Sequence, residues 1–295
     1  MESRNFPPPC ADDRQQGLKI RHQFTCGFHR SKNKFRYTVT DMTRPASIHP
    51  CALALLILIA GYRCASGEVQ SPRAAAAATV QGPVVLLHGL ARSGASMRKM
   101  QKALENEGFR TCNIEYPSTR HGIAVLATEY VLPGIRECAD GVAPLNFVTH
   151  SLGGIIVRYL VREGLISNIG RVVMLSPPNN GSEVVDALGD TWLFGVINGP
   201  AGRELGTGSH SLPAQLGPAE FEVGIIAGNK SINLILSSLI DGEDDGKVSV
   251  ERARLEGMKD FIVLPLTHPF IMKDGLSIKQ AVYFLNHGTF NRENP

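Results

Sequence analysis

Residues 144–155 contain a serine whose setting could make its hydroxyl a nucleophile. A short apolar run leads into Thr-His-Ser-Leu-Gly-Gly, and an apolar helical pattern begins at Ile155. This order predicts a strand, a tight turn with Ser151 at its apex, and a helix whose N-terminus lies beneath the hydroxyl. Gly153 would let the helix backbone pass close to the strand. A serine that merely caps a plain helix is the alternative interpretation.

A serine hydroxyl is a poor nucleophile at neutral pH, so it needs a base within hydrogen-bond reach and a carboxylate to orient that base. Two of the nine histidines, His268 and His287, lie well downstream of the serine, beyond the last apolar strands. His268 directly follows the predicted strand 261–264, where the chain leaves the carboxyl edge of the sheet. His287 comes after the final helical pattern and is typical of a residue near a helix C-cap. We therefore expect His268 to be the base.

The acid is expected in the loop that follows the predicted strand 223–227. Four carboxylates are candidates: Asp241, Glu243, Asp244 and Asp245. We favour Asp245 because Val248, three positions on, is apolar and can anchor the turn beneath the carboxylate. Asp244 is the alternative, and the remaining carboxylates are expected to be solvated loop charges.

Negative charge that develops on an acyl oxygen is stabilised by backbone N–H groups aimed at it. One such group is expected from Leu152, which follows the serine, and a second from Leu90, in the His-Gly-Leu turn after the first strand. His88 and His150 flank these positions. We interpret both histidines as packing or supporting residues rather than as bases.

The elements that must position these residues alternate between apolar strands and helical patterns from residue 83 onward. Such an alternation predicts an α/β fold with a doubly wound, mostly parallel sheet of about six strands and its site at the carboxyl ends of the strands. The predicted strands are 83–87, 110–115, 145–148, 171–175, 223–227 and 261–264. The predicted helices are 96–107, 123–138, 151–163 and 278–285.

Residues 176–222 interrupt the alternation and are rich in Gly, Pro and Ser. An interruption of this length in an α/β domain is typical of a functional lid or cap, and a solvated insertion packed on the sheet edge is the alternative. We interpret Trp192, Phe194 and Phe270 as candidate substrate contacts, although each of them could equally belong to the core.

The first eighty residues lack the patterns of a folded domain. Residues 1–41 are polar and basic, and Met42 is a candidate for the true start. The apolar stretch 51–60 is too short to span a bilayer but matches the core of a secretory signal. We expect export to the periplasm or the medium, with an uncleaved membrane anchor through residues 51–61 and a short buried helix as alternatives. The expected division is a leader over 1–41, a signal-like segment over 42–67, a linker over 68–80 and a folded domain over 81–295.

The distribution of charge along the chain bears on whether the protein binds nucleic acid. The formal net charge is +3, but residues 80–295 carry nineteen Lys and Arg against twenty-two Asp and Glu. The folded part is therefore mildly acidic, which does not favour a nucleic-acid surface.

Removal of a signal would leave Cys112 and Cys138, at the same end of the predicted sheet. A disulfide between them and two unpaired buried thiols are both compatible with the pattern.

Four motifs occur in order: Leu-Leu-His-Gly-Leu, Thr-His-Ser-Leu-Gly-Gly, Asp-Gly-Lys-Val and Leu-Thr-His-Pro-Phe. Through them, residues 82–290 resemble the α/β-hydrolase superfamily, in particular small bacterial lipases and esterases and, more distantly, inositol-deacylase-like hydrolases. The step from Asp245 to His268 is similar to that of minimal bacterial lipases. Thr149 replaces the first glycine of the usual Gly-x-Ser-x-Gly, as a small residue also does in small bacterial lipases. The resemblance implies an α/β-hydrolase fold and a Ser151–Asp245–His268 triad.

These features predict a serine ester hydrolase that works through an acyl-enzyme on an apolar acyl ester, either a small molecule or a lipid. The chemistry requires no metal and no organic cofactor. A thioesterase, an amidase or an acyltransferase would use the same triad. A non-catalytic binding protein on a hydrolase scaffold is the alternative from a different class.

Overall fold

The computed structural model describes residues 82–139, 141 and 143–293. The expected leader, signal-like segment and linker lie outside these residues, so export and the start at Met42 stay predictions. Within the described part of the chain, no helix is both long and apolar enough to cross a membrane.

A six-stranded sheet, parallel at every pairing, forms the centre of the fold. Its strands are β1 Val84–Leu87, β2 Thr111–Ile114, β3 Leu145–His150, β4 Ile169–Leu175, β5 Glu222–Gly228 and β6 Asp260–Leu264. Their spatial order is β2-β1-β3-β4-β5-β6. The winding direction reverses between β1 and β3, and ligands of such sheets bind outside the carboxyl ends of the strands at that point. The predicted six-stranded α/β fold is confirmed.

Helices cover both faces of the sheet. The longer helices are α1 Arg98–Asn106, α2 over residues 123–138 with a π-helical stretch Leu126–Val131, α3 Leu152–Arg162, α5 Trp192–Arg203 and α9 Gly275–His287. The short helices are α4 Glu183–Leu188, α6 Leu212–Gln215, α7 Leu234–Ser237 and α8 Val250–Ala253. In β1, Val84 and Leu86 pack with α1 and α9 on one face, whereas Val85 and Leu87 pack with α2 and α3 on the other. This alternation explains why the strand is apolar throughout.

The predicted insertion, residues 176–222, contains α4, α5 and α6 and ends at the first residue of β5. Arg158 of α3 holds it in place with a buried guanidinium group. The guanidinium donates to the carbonyl oxygens of Asn179 at 2.8 Å, Pro213 at 3.1 Å and Gly217 at 2.8 Å. Burial lowers the pKa of Arg158 to about 10, so the group stays charged at neutral pH. Both ends of the insertion are thereby fixed to the helix that follows the serine, and a lid movement stays a prediction.

Cys112 of β2 and Cys138 at the end of α2 form a disulfide with a Cα–Cα distance of 6.0 Å. The two elements run antiparallel, which brings the two cysteines to the same end of the sheet. The disulfide is thus confirmed over the alternative of two unpaired thiols.

Replacement of both cysteines by alanine is expected to lower the free energy of unfolding by about 3.5 kcal/mol, because the bond closes a loop with a sequence separation of 26 residues. Urea denaturation of the variant and of the wild-type protein measures this loss. Wild-type protein kept in a reductant is the control and should lose a similar amount. A variant as stable as the oxidised wild type would contradict the prediction.

Arg158→Met is expected to lower the free energy of unfolding by about 3 kcal/mol or more, because two buried carbonyl groups and one partly buried carbonyl group lose their donor. Arg162→Met, on the exposed side of the same helix, is the matched control and should change it by less than about 0.5 kcal/mol. Urea denaturation of both variants checks the difference. Equal losses would mean that the carbonyl contacts do not stabilise the insertion.

Candidate active site

Ser151 lies on a strained turn between β3 and α3. Its φ of 50° and ψ of −118° fall in a region that residues other than glycine rarely occupy. The backbone N–H of Ser151 donates to the carbonyl oxygen of Leu175 in β4 at 2.9 Å, and its own carbonyl accepts from Gly154 at 3.0 Å. These bonds fix the turn at the carboxyl end of the sheet, where the sequence predicts it.

Two glycines allow the backbone to pass close to this turn. A Cβ atom on Gly153 would lie 2.7 Å from the carbonyl oxygen of Leu87, so α3 starts too close to β1 for any side chain. A Cβ atom on Gly89 would lie 2.6 Å from Nδ1 of His150 and 3.2 Å from Cβ of Ser151. The turn after β1 and the serine turn are therefore in direct contact.

Asp245 and His268 form a buried pair, the first in the segment between β5 and β6 and the second in the loop after β6. The Nδ1 atom of His268 lies 2.8 Å from Oδ2 of Asp245, and the backbone N–H of His268 donates to the carbonyl oxygen of Asp245 at 2.9 Å. The other carboxylate oxygen of Asp245 accepts from the backbone N–H groups of Lys247 at 3.0 Å and Val248 at 2.9 Å. Val248 is buried in the core, as an anchor of this turn must be.

The other candidate residues point elsewhere. Asp244 accepts hydrogen bonds from the Ser237 hydroxyl at 2.7 Å and from the Gly246 N–H at 2.6 Å. Glu243 accepts from the side chain of Asn229 at 3.1 Å. His287 is exposed at the end of α9, with its Nδ1 atom 2.9 Å from the carbonyl oxygen of Tyr283. None of these residues contacts His268 or Ser151.

His150 connects the serine turn to the loop that contains His268. Its Nε2 atom donates to the backbone carbonyl oxygen of His268 at 3.1 Å, and the two rings lie 4.9 Å apart. Burial, assisted by the nearby His268 and Arg92, lowers the pKa of His150 well below its usual value, so the ring is neutral. Because His150 immediately precedes Ser151, this contact places His268 beside the serine turn. The other flanking histidine, His88, is buried and stacks on Tyr116 at 4.0 Å.

The backbone N–H groups predicted to stabilise an oxyanion lie in the two contacting turns, that of Leu90 after β1 and that of Leu152 after Ser151. Within the described part of the chain, the amide of neither Leu90 nor Leu152 donates a hydrogen bond. Leu152 is the first residue of α3, whose N-terminus carries a partial positive charge. Ala91, next to Leu90, has a φ of 52°, which reverses the chain just after the first of these amides. The two donors are thus free to bind an acyl oxygen.

A cavity of about 210 Å³ opens beside the Asp245–His268 pair. Its walls are Leu90, Arg92, His150, Ile232, Asn233, Leu236, Asp245, Gly246, Lys247, His268 and Pro269. Sequence reasoning missed Arg92, Lys247, Ile232 and Leu236, because residues in loops and in a helix of a single turn carry no periodic signal. Among the residues the structure describes, no group of three His, Cys, Asp or Glu side chains is placed to hold a metal ion.

The three predicted substrate contacts lie outside the walls of this cavity. Phe194 is 6% exposed and belongs to the hydrophobic core, where it packs near Leu90 and Gly202. Trp192 and Phe270 are 77% and 57% exposed. Leu90, Ile232 and Leu236 instead form the apolar part of the cavity wall. Ile232 precedes α7, and Leu236 lies within it.

Comparisons with known proteins agree with this geometry. Residues 82–176, which include the serine turn, match a family described as "Putative serine esterase (DUF676)". No curated protein matches the chain in sequence.

Solved structures of similar fold include three lipolytic enzymes. The mature lipase BlEst2 from Bacillus licheniformis has a TM-score of 0.56 and 22% identity, over 70% of this chain and 93% of the lipase. Phospholipase PlaB from Legionella pneumophila has a TM-score of 0.54 and 16% identity, over 70% of this chain and 59% of the phospholipase. Lipase B from Aspergillus fumigatus has a TM-score of 0.51 and 15% identity, over 70% of this chain and 53% of the lipase. At these identities the likeness shows the fold, which is that of the α/β-hydrolases.

Proposed function

We propose that this α/β-hydrolase-fold chain is a serine ester hydrolase that acts through an acyl-enzyme on an ester with an apolar acyl group. The observation that carries the proposal is the buried Asp245–His268 pair beside a serine on a strained turn. The match of residues 82–176 to a serine esterase family, and the likeness of the fold to lipases and a phospholipase, support the same reaction class.

Each residue has a defined task in this reaction. The Ser151 hydroxyl oxygen attacks the ester carbonyl while Nε2 of His268 takes the hydroxyl proton. Asp245 holds the proton on Nδ1 of His268 and stabilises the imidazolium that forms. The amides of Leu90 and Leu152 bind the oxyanion of the tetrahedral intermediate.

Collapse of the intermediate breaks the bond to the alcohol oxygen, and the proton on His268 passes to that leaving group. Ser151 is then acylated. A water molecule, deprotonated by His268, attacks the acyl-enzyme, and the serine hydroxyl regains its proton as the carboxylic acid leaves. Leu90, Ile232 and Leu236 provide apolar surface for the acyl group.

A fluorophosphonate probe should label Ser151, and Ser151→Ala should abolish the labelling, because the probe reacts with activated serines. Peptide mapping of the adduct measures the site directly. Ser176→Ala is the matched control, since Ser176 directly follows β4 with a similar φ of 45° but its hydroxyl accepts the Gly228 N–H at 3.3 Å. Labelling should persist in this control. Folded wild-type protein that resists the probe would contradict the proposal and favour a non-catalytic binding protein.

Asp245→Asn should reduce kcat for a p-nitrophenyl ester by about 10⁴, because the amide NH₂ would face Nδ1 of His268 and favour the wrong tautomer. Steady-state kinetics at neutral pH measure the loss. Asp244→Asn is the matched control, with the same change one residue away, and should cost less than about tenfold because its amide oxygen can still accept from Ser237 and Gly246. Similar losses in both variants would argue against Asp245 as the acid.

A further inference from the structure

Two basic side chains share the cavity that holds the Asp245–His268 pair. Arg92 follows Leu90 by two residues, and Lys247 follows Asp245 by two residues. The Nζ atom of Lys247 lies 3.4 Å from Oδ1 of Asn198, its hydrogen-bond partner. The guanidinium of Arg92 makes no hydrogen bond or ion pair within the described residues. Both cations therefore face the cavity without a dedicated counterion.

The neighbouring carboxylates are engaged in other contacts. Both oxygens of Asp245 are bound, one by His268 and one by two backbone N–H groups. Asp244 accepts from Ser237 and Gly246. Glu115, in the groove next to the cavity, accepts the Gly94 N–H at 2.6 Å and faces His88 at 3.7 Å. Among the described residues that line the cavity, Asp245 is the one carboxylate, and it already binds the histidine.

The electrostatics of Lys247 agree with this arrangement. Burial lowers the pKa of Lys247, and the positive charge of Arg92 lowers it further, while Asp245 opposes the shift. Like charges held together at a partly desolvated site are unfavourable, and an anion bound between them would relieve the repulsion.

We propose that the substrate of this site is an ester that carries its own anionic group, a carboxylate or a phosphate, bound by Arg92 and Lys247. The inference deepens the proposed function and rests on it, because the same cavity must receive the ester carbonyl. An arginine offers two parallel N–H donors that match a carboxylate or a phosphate, and a lysine adds a point charge. The apolar part of the substrate lies against Ile232 and Leu236.

Arg92 also lines a second groove, of about 580 Å³, together with Arg120 and Glu115. The guanidinium therefore stands where the catalytic cavity meets a wider, open space. An anionic group on either side of the ester bond can reach Arg92 from one of these two spaces. The position of the anion, on the acyl side or on the alcohol side, is accordingly the variable that the experiment resolves.

The test compares two pairs of esters, each pair differing in one anionic group. Octanoyl-glycerol and octanoyl-glycerol phosphate differ in a phosphate on the alcohol side. The p-nitrophenyl esters of butyric and succinic acid differ in a carboxylate at the end of the acyl chain. For each pair, the ratio of kcat/KM for the anionic ester to that for the neutral ester is measured with monomeric substrate.

The wild-type enzyme should prefer the anionic ester of at least one pair by about tenfold or more in kcat/KM. The free energy of a hydrogen bond to a charged group corresponds to about this factor. Arg92→Gln and Lys247→Met should each reduce that ratio by about tenfold. Lys102→Gln removes the same charge from the exposed surface of α1 and should leave the ratio unchanged. A preference within the phosphate pair would place the anion on the alcohol side, and one within the carboxylate pair would place it on the acyl side.

Ratios at or below one in both pairs, or ratios that survive both substitutions, would overturn the inference. The ester hydrolase proposal would then stand, provided that the neutral esters are hydrolysed and Ser151→Ala abolishes the turnover. No hydrolysis of any of the four esters by folded wild-type enzyme would overturn the proposed function and the inference with it. Thermal melting verifies the fold of each variant. If Lys247→Met does not fold, the exposed Arg92→Gln variant decides.

Discussion

The close passage of α3 past β1 is the steric constraint on which the candidate site depends. No side chain fits at position 153, because the carbonyl oxygen of Leu87 would lie 2.7 Å from its Cβ atom. The chain can enter a helix this close to the sheet only through a sharp turn, and Ser151 takes the strained conformation that the turn requires. The same turn leaves the Leu152 amide free at the helix N-terminus. The position of Ser151, the proposed nucleophile, and the free amide of Leu152, a proposed oxyanion donor, therefore both result from one backbone path.

Contacts between strand ends align the acid and the base with that turn. Gly228 ends β5 where a Cβ atom would lie 2.4 Å from the carbonyl oxygen of Leu266 and 2.9 Å from Cβ of Asp245. The backbone N–H of His268 donates to the carbonyl oxygen of Asp245, so the two loops are linked into one unit. The Nε2 atom of His150 joins this unit to the serine turn. Backbone packing, together with these side-chain hydrogen bonds, thus sets the relative positions of Ser151, Asp245 and His268.

The six strands and their parallel arrangement could be predicted, because apolar runs and turn residues act locally along the chain. The Asp245–His268 pairing could be predicted from the place of each residue after its predicted strand. The extension of β3 to His150 could not, since Thr149 and His150 are polar and are buried by contacts with residues distant in sequence, in β1, β4 and the loop of His268. Arg158 could not be recognised either. An arginine on an amphipathic helix is usually solvated, and its carbonyl partners come from residues that are distant in sequence.

Contacts between residues that are distant in sequence also link the insertion to the basic side chains of the cavity. Arg158 fixes the insertion to α3, and the insertion carries α5, whose Asn198 is buried and contacts Lys247 at 3.4 Å. Gly199, next to it, has a φ of 65° and leaves no space for a Cβ atom beside the carbonyl of Thr119. The Asn198 side chain is thus held by α5 on one side and by a neighbouring loop on the other. A movement of α5 away from the sheet would break its contact with Lys247, so the cationic wall of the cavity and the position of the insertion are physically coupled.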